Sequence, residues 1–200
     1  RDLGPHRLKD LSAPERIYQL EIDGLSGDFP LLKTLEAGMR NLPAPHKSFV
    51  GRTVEIDTID RMLDDPDCRL ITLVGPGGVG KTRLALEAAA RRIDRYPHGV
   101  HFVPLASVAS PDLLAPAMAE AISFAVDGAH SGFSAQEQLL DYLSERSALL
   151  VLDNFEHLLD GAEIVGHVIE RAPQVELLTT SRERLNVQSE WVFDVDGLGH

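Results

Sequence analysis

The sequence predicts an α/β fold: a parallel sheet with helices on both faces, preceded by an N-terminal strand and linker segment. Three observations carry this. Short apolar runs at 70–74, 100–105, 149–152 and 175–178 read as strands buried on both faces. Helical spacing fills most of the intervals between them, and strands alternating with helices favour a parallel sheet. A glycine-rich loop joins the first of these strands to its helix, the context that turns a pattern into a site.

Length and composition set the outer bounds. Two hundred residues suit one full domain plus extras. Hydrophobic content of 44% and charged content of 25% are ordinary for a globular chain. No apolar run approaches the ~20 residues needed to cross a bilayer, so no membrane partner is expected. No signal peptide is visible, and the chain opens on Arg1 rather than Met, which predicts a piece of a longer protein. A lone cysteine, Cys68, excludes an internal disulfide and a multi-cysteine metal site, in keeping with a cytoplasmic location. Lys and Arg total 19 against 31 Asp and Glu, a formal charge of -12. That balance argues against this segment gripping nucleic acid, which needs a basic face.

In chain order, residues 1–22 stand apart. Ser12-Ala13-Pro14 marks a turn, after which Tyr18, Leu20 and Ile22 share one face of an alternating run. This predicts a terminal strand over 17–22 whose sheet lies upstream of Arg1. Residues 23–45 carry Gly24, Gly27, Pro30, Pro43 and Pro45 without lasting periodicity and read as a linker, with a short helix around 31–39. The nucleotide domain is expected over 46–200. It opens with Ser48-Phe49-Val50-Gly51-Arg52, a strand end and turn, and Thr53 is expected to cap a helix through Ile56, Ile59, Met62 and Leu63.

Gly75-Pro76-Gly77-Gly78-Val79-Gly80-Lys81-Thr82 fits GxxxxGK[ST], the phosphate-binding loop, with Arg83 following it. A triphosphate needs many converging donors, and glycines let the main chain wrap closely round its oxygens. The helix opening at Lys81 adds free N–H groups and a positive dipole end. Lys81 can reach the β- and γ-phosphates, and the Thr82 hydroxyl can ligate Mg²⁺. ATP or ADP with Mg²⁺ is therefore the expected ligand.

Beyond the first helix, Ser110-Pro111 starts a helix with Leu114, Ala117, Met118, Ala121 and Ile122 on one face, in which Pro116 shifts the start or bends the axis. Ser134 and Glu137 form a capping box for a helix through Leu139, Leu140 and Leu143. His98, His101, His130 and His167 lie in unrelated segments and read as solvated or packed, not as metal ligands.

The run 148–152 ends in Asp153, the arrangement known as Walker B, where a carboxylate at a strand end can hold Mg²⁺. Asn154 takes the place where many nucleoside triphosphatases carry a second acid. Glu156 is the candidate for polarising water, and the alternative is that Glu156 and His157 simply begin the next helix. That helix is expected over 160–172, stopped by Pro173. The strand 175–178 then ends at Thr179-Thr180-Ser181-Arg182, where a polar residue and an arginine can reach the γ-phosphate and distinguish ATP from ADP. Arg182 is the candidate and Arg184 the other register; an exposed arginine on a helix start is the bland reading. A last strand is expected over 191–195.

Several of these stretches resemble known families. F-V-G-R, the phosphate loop and L-D-N-F-E-H-L together resemble the STAND-class P-loop NTPases, which include the NB-ARC and LuxR/AfsR-type regulators. The resemblance implies that Val50, Gly51 and Arg52 line the adenine pocket, with a solvated Arg52 as the alternative. It also implies that 179–182 match the sensor 1 T-T-R with Ser181 inserted. Residues 2–11, D-x-G-x-H-R-L-K-D-L, followed by P-E-R-I-Y-Q-L, resemble the C-terminal tail of a class III nucleotidyl cyclase, although Asp10 stands where many such tails carry glycine. Together the resemblances imply an ATP-driven switch in a cyclase-NTPase regulator of transcription. DNA would be a partner only through domains outside this segment, and an effector or a second copy would be the other partner. The alternatives are a module that holds nucleotide without turnover, and a P-loop kinase or fast ATPase acting on a separate substrate.

Overall fold

A computed structural model describes residues 2–6, 15–18, 41–43, 51–127 and 132–197. At the N-terminus, β1 (Asp2–His6) pairs antiparallel with β2 (Glu15–Tyr18). The expected strand over 17–22 thus begins at Glu15, and residues 2–6 run back along one side of it; residues 19–22 lie outside the described residues. The expected helix around 31–39 lies outside the described residues.

The sheet that carries the site has five parallel strands. They are β3 (Leu70–Val74), β4 (Val100–Pro104), β5 (Ala148–Asp153), β6 (Val175–Ser181) and β7 (Glu190–Asp194), in spatial order β4-β5-β6-β3-β7. Helices α1 (Thr53–Leu63), α2 (Lys81–Arg91), α3 (Leu114–Ala121), α4 (Ala135–Ser144) and α5 (Glu163–Arg171) supply the crossovers and the cover. Period-two alternation sorts the strand residues between two cores. Ile71, Leu73, Leu149, Val151 and Leu178 pack with Ile56 and Ile59 of α1 and Leu84 and Ala88 of α2. Leu70, Leu150, Leu152 and Leu177 pack on the other face with Met118, Leu139, Leu143 and Val168 of α3 to α5. Near-continuous apolar runs are therefore what a sheet covered on both faces requires.

Several boundaries differ from the sequence expectation, each for a local reason. Arg52, not Thr53, holds the N-cap position of α1; its backbone is left-handed (φ 58°) and no side chain caps the helix. A 3-10 turn, Pro111–Leu113, precedes α3, so Pro116 falls in the first α-helical turn, where a missing N–H costs little. A second 3-10 turn, Leu159–Gly161, likewise delays α5 to Glu163. The capping box forms as expected: Ser134 Oγ accepts from Glu137 N–H at 3.1 Å and Glu137 Oε2 accepts from Ser134 N–H at 2.7 Å.

One contact was not legible locally. Asn41, in the expected linker, donates through Nδ2 to Phe102 O at 2.7 Å and accepts Phe102 N–H through Oδ1. Its amide thus stands in for a neighbouring strand at the edge of β4, satisfying groups that an edge leaves open.

The capping box carries a signed pH dependence. Hydrogen bonds from the Ser134 backbone and hydroxyl hold the Glu137 carboxyl below its ordinary 4.5. A depressed carboxyl stabilises the fold above that value and loses the contribution as pH falls. Glu137→Gln should therefore lower the melting temperature at pH 7, with the difference from wild type closing as pH drops below 4.5.

Candidate phosphate-binding site

The carboxyl ends of β3, β5 and β6 meet at one point. β3 runs into the glycine loop, and α2 starts at Lys81 with Gly80 as its N-cap. Gly78 (φ 78°) and Gly80 (φ 97°) take up backbone angles that a side chain would strain. Gly75 is needed for a different reason: a Cβ there would sit 2.5 Å from the main-chain oxygen of Val195, just past β7. Lys81 folds back into the loop, donating through Nζ to Gly75 O at 2.7 Å and Pro76 O at 3.0 Å. It is the one buried lysine side chain among the described residues, at 9% exposure.

Asp153 stands at the end of β5, which is not adjacent to β3; β6 lies between them. The Thr82 hydroxyl nevertheless reaches Asp153 Oδ1 at 2.6 Å, across the end of β6. Thr180 of β6 donates to the same oxygen at 2.7 Å and accepts Asn154 N–H at 2.9 Å. Sequence reasoning ended the strand at 178; the structure carries it to Ser181, so Thr179, Thr180 and Ser181 are buried strand residues. Thr180 falls within the stretch expected to reach the γ-phosphate but was not singled out there as a site residue. The available signal was a hydroxyl at a strand end two residues before the arginine candidate.

After Asp153 the chain turns. Asn154 is left-handed (φ 69°), and residues 154–158 form no helix, which removes the reading of Glu156 and His157 as a helix start. The next helical element is the short turn beginning at Leu159. Glu156 Oε1 instead accepts from Arg182 Nε at 2.9 Å. The two candidates, for polarising water and for sensing phosphate, are paired with each other. No helix follows Arg182 either, although its side chain is exposed as the bland reading had it; its guanidinium lies beside Gly77, within 3.5 Å of where a Cβ would be. Arg184 is exposed and does not line the cavity.

Of the expected adenine-pocket residues, Val50 lies outside the described residues. Gly51 is left-handed (φ 78°). Arg52 is not solvated: its Nη2 donates to Val79 O at 2.9 Å and Asp196 O at 2.8 Å, tying the turn before α1 to the phosphate loop and to the segment after β7. Its other terminal nitrogen is buried with no partner among the described residues. A cavity of about 320 Å³ is lined by Gly77, Gly78, Gly80, Lys81, Thr82 and Arg83 on one side. Asn154, Glu156, Thr180 and Arg182 line the other. A second cavity of about 340 Å³, against the C-terminal end of α4, mixes Asp141, Glu145, His98 and Arg146 and has no glycine loop.

Three buried groups elsewhere in the sheet and its flanks have shifted titration for structural reasons. Burial pushes the Cys68 thiol up to about 12, which makes it inert. Burial pushes the Glu176 carboxyl up, and Tyr96 donates to it at 2.5 Å. Burial pushes His101 down; its Nε2 lies 2.9 Å from His98 O. His167 contacts Gln136, and His130 lies outside the described residues.

Comparison with known proteins adds the family. The family model described as an AAA domain matches residues 64–191. The chain belongs to the AAA domain family. An uncharacterised protein of Mycobacterium tuberculosis is 37% identical to this AAA domain over 152 residues, covering 76% of this chain and 37% of that protein. A second M. tuberculosis protein, named as a candidate HTH-type transcriptional regulator, is 37% identical over 131 residues, covering 65% of this chain and 14% of its own length. The chain thus spans well under half of these relatives. Two solved structures share the fold. A STAND protein with a tetratricopeptide repeat sensor from Pyrococcus horikoshii matches with TM-score 0.55 and 17% identity, over 78% of this chain and 24% of its own. Cdc6p from Pyrobaculum aerophilum matches with TM-score 0.56 and 15% identity, over 80% of this chain and 48% of its own. The fold is therefore that of an AAA-type P-loop NTPase, a family that generally binds ATP or ADP with Mg²⁺.

The close approach at Gly75 makes a local prediction. Gly75→Ala should push the segment after β7 away, and amide exchange at Val195, whose N–H donates to Val74 O at 2.7 Å, should quicken relative to the core of β5.

Proposed function

We propose that this AAA domain is the ATP-binding, slowly hydrolysing switch of a multidomain signalling protein that regulates transcription. The observation that carries the proposal is the convergence of Lys81, Thr82 and Asp153 on one cavity, with Thr82 Oγ1 2.6 Å from Asp153 Oδ1. The residues fit a magnesium-bound nucleotide. Among the described residues, the Nζ of Lys81 has two acceptors, both neutral carbonyls, which an anionic oxygen replaces with gain. Gly75 to Arg83 would hold the phosphates, and Thr82 with Asp153 the Mg²⁺. Gly51 and Arg52, with Val50, would face the base, a role supported by the orphaned terminal nitrogen of Arg52. When bound, the nucleotide supplies a phosphoanhydride whose cleavage resets the switch.

Around it, this chain's residues bind, orient and exchange charge. Arg182 neutralises Glu156 across the cavity, and an anion beside Gly77 competes for the same guanidinium. Release of Glu156 then leaves a carboxylate free to orient water. The named role of the M. tuberculosis regulator supports a transcriptional setting. The antiparallel β1–β2 pair supports residues 1–22 as the tail of an upstream cyclase-like domain, joined by a linker over 23–45. DNA contact, effector sensing and self-association belong to the longer protein, in the cytoplasm. A second reading, nucleotide held without turnover, is favoured by Asn154 in the place of a second acid and by the Arg182–Glu156 pair.

Single-turnover hydrolysis of ATP by the intact protein tests both. Lys81→Ala should abolish nucleotide binding. Glu156→Gln should leave binding in place and slow hydrolysis by roughly 10²-fold or more. An unchanged rate removes Glu156 from the mechanism, and wild-type protein that binds ATP without turnover establishes the second reading.

A further inference from the structure

Secondary structure leaves two sets of main-chain groups over at one edge of the sheet, and a single side chain takes both. β4 is an edge strand. Its ladder with β5 uses Gly99 O and Leu105 N–H, so by alternation the groups of Phe102 point away from the sheet. Pro104, two residues on, has no N–H to offer there. Beside this edge α3 ends. Met118 O, Ala119 O and Glu120 O accept from Ile122, Phe124 and Ser123 respectively, which leaves Ala121 O without a main-chain donor among the described residues. Asn41 meets all three groups. Its Nδ2 donates to Phe102 O at 2.7 Å and to Ala121 O at 3.2 Å, and its Oδ1 accepts Phe102 N–H. Both amide protons and the amide oxygen are thus committed, and a turned amide would set like against like at every contact. Next to it Leu42 is half-buried against the core that α1 and α2 cover.

We propose that Asn41 and Leu42 form an intramolecular clip, which docks the segment ahead of the AAA domain onto a receptor made by the β4 edge and the end of α3. The occupant is this chain's own Asn-Leu pair. Asparagine suits the receptor by its chemistry: serine lacks a second proton, aspartate lacks both, and glutamine is longer by a methylene. Asn41 itself is exposed, so the clip opens without unpacking either core. Docking also closes the edge to another chain, since the outward pair in the middle of β4 already has its partner. β4 and β7 are opposite edges of the sheet, and at ~4.8 Å per strand they stand roughly 19 Å apart. A pull on the upstream segment is therefore delivered to β4 and α3, not to the segment after β7 that meets Arg52 and Gly75.

Trypsin tests this on the intact protein, because the clip residues directly follow a cleavable bond, Arg40–Asn41. A protease must hold the residues on both sides of that bond in its own cleft, so cleavage there tracks the open fraction of the clip. Each rate is divided by the rate for the same bond in a peptide of that variant spanning 36–46, which removes the protease's own preference. Asn41→Asp and Leu42→Ser should each quicken cleavage by about tenfold or more. Leu42→Ser removes no hydrogen bond to Phe102, yet it should also quicken amide exchange at Phe102 by about tenfold, with Val151 on β5 changed by less than about twofold. Should Leu42→Ser fail to fold by circular dichroism, Leu42→Ala carries the same expectation. Unchanged cleavage in either variant overturns the clip, and so does exchange that quickens at Val151 as much as at Phe102. Protection of Phe102 that rises with the concentration of wild-type protein assigns the edge to a second copy and overturns it as well. ATP enters none of these measurements, so the clip and the nucleotide reading stand or fall separately.

Discussion

Everything at the site depends on one oxygen. Asp153 Oδ1 accepts hydroxyl protons from Thr82 and Thr180, which belong to different elements far apart in the chain. That meeting requires β3, β6 and β5 to end at the same level. The register supplies it: Leu73 lies opposite Thr180 and Thr179 opposite Leu152, so β5 and β6 bring Asp153 and Thr180 to the rim where β3 runs into the glycine loop. A slip of one residue would turn Thr180 to the other face and put Thr179 or Ser181 in its place. The two cores resist such a slip, since Leu177 and Leu178 would exchange sides with it.

Charge is arranged against the trend of the whole chain. The protein carries a formal -12, yet Lys81, Arg83 and Arg182 line one cavity and Arg52 reaches the adjoining loop. A local positive field inside an acidic chain selects anionic ligands by position rather than by net charge. The structure meets the cost of gathering these cations with main-chain oxygens and one carboxylate. Lys81 rests on Gly75 and Pro76, Arg52 on Val79 and Asp196, and Arg182 on Glu156. Each is a contact that a bound anion can replace, so the same groups that hold the resting site together are the ones available to a ligand.

Much of this was legible along the chain. The glycine loop, its flanking strand and helix, the buried strands and the Ser134–Glu137 box are written in residues a few places apart, where spacing and backbone preference act directly. The misses fall where partners are distant. Nothing local says that Asn41 caps Phe102, 61 residues on, or that Arg52 seeks a carbonyl 27 residues away. The end of β6 was misplaced because Thr179, Thr180 and Ser181 look like a polar exit, whereas sheet pairing on both sides keeps them buried.

By itself the sequence determined most of the strands and helices around the glycine loop and that this loop can wrap an anion, because periodicity, glycine freedom and helix starts are short-range properties. Only the tertiary structure decided that β6 lies between the loop strand and the Asp153 strand, that Thr180 serves both, and that Glu156 and Arg182 face each other. Strand order and side-chain pairing are set by how two apolar faces are covered at once, a condition on the whole chain that no window of it contains.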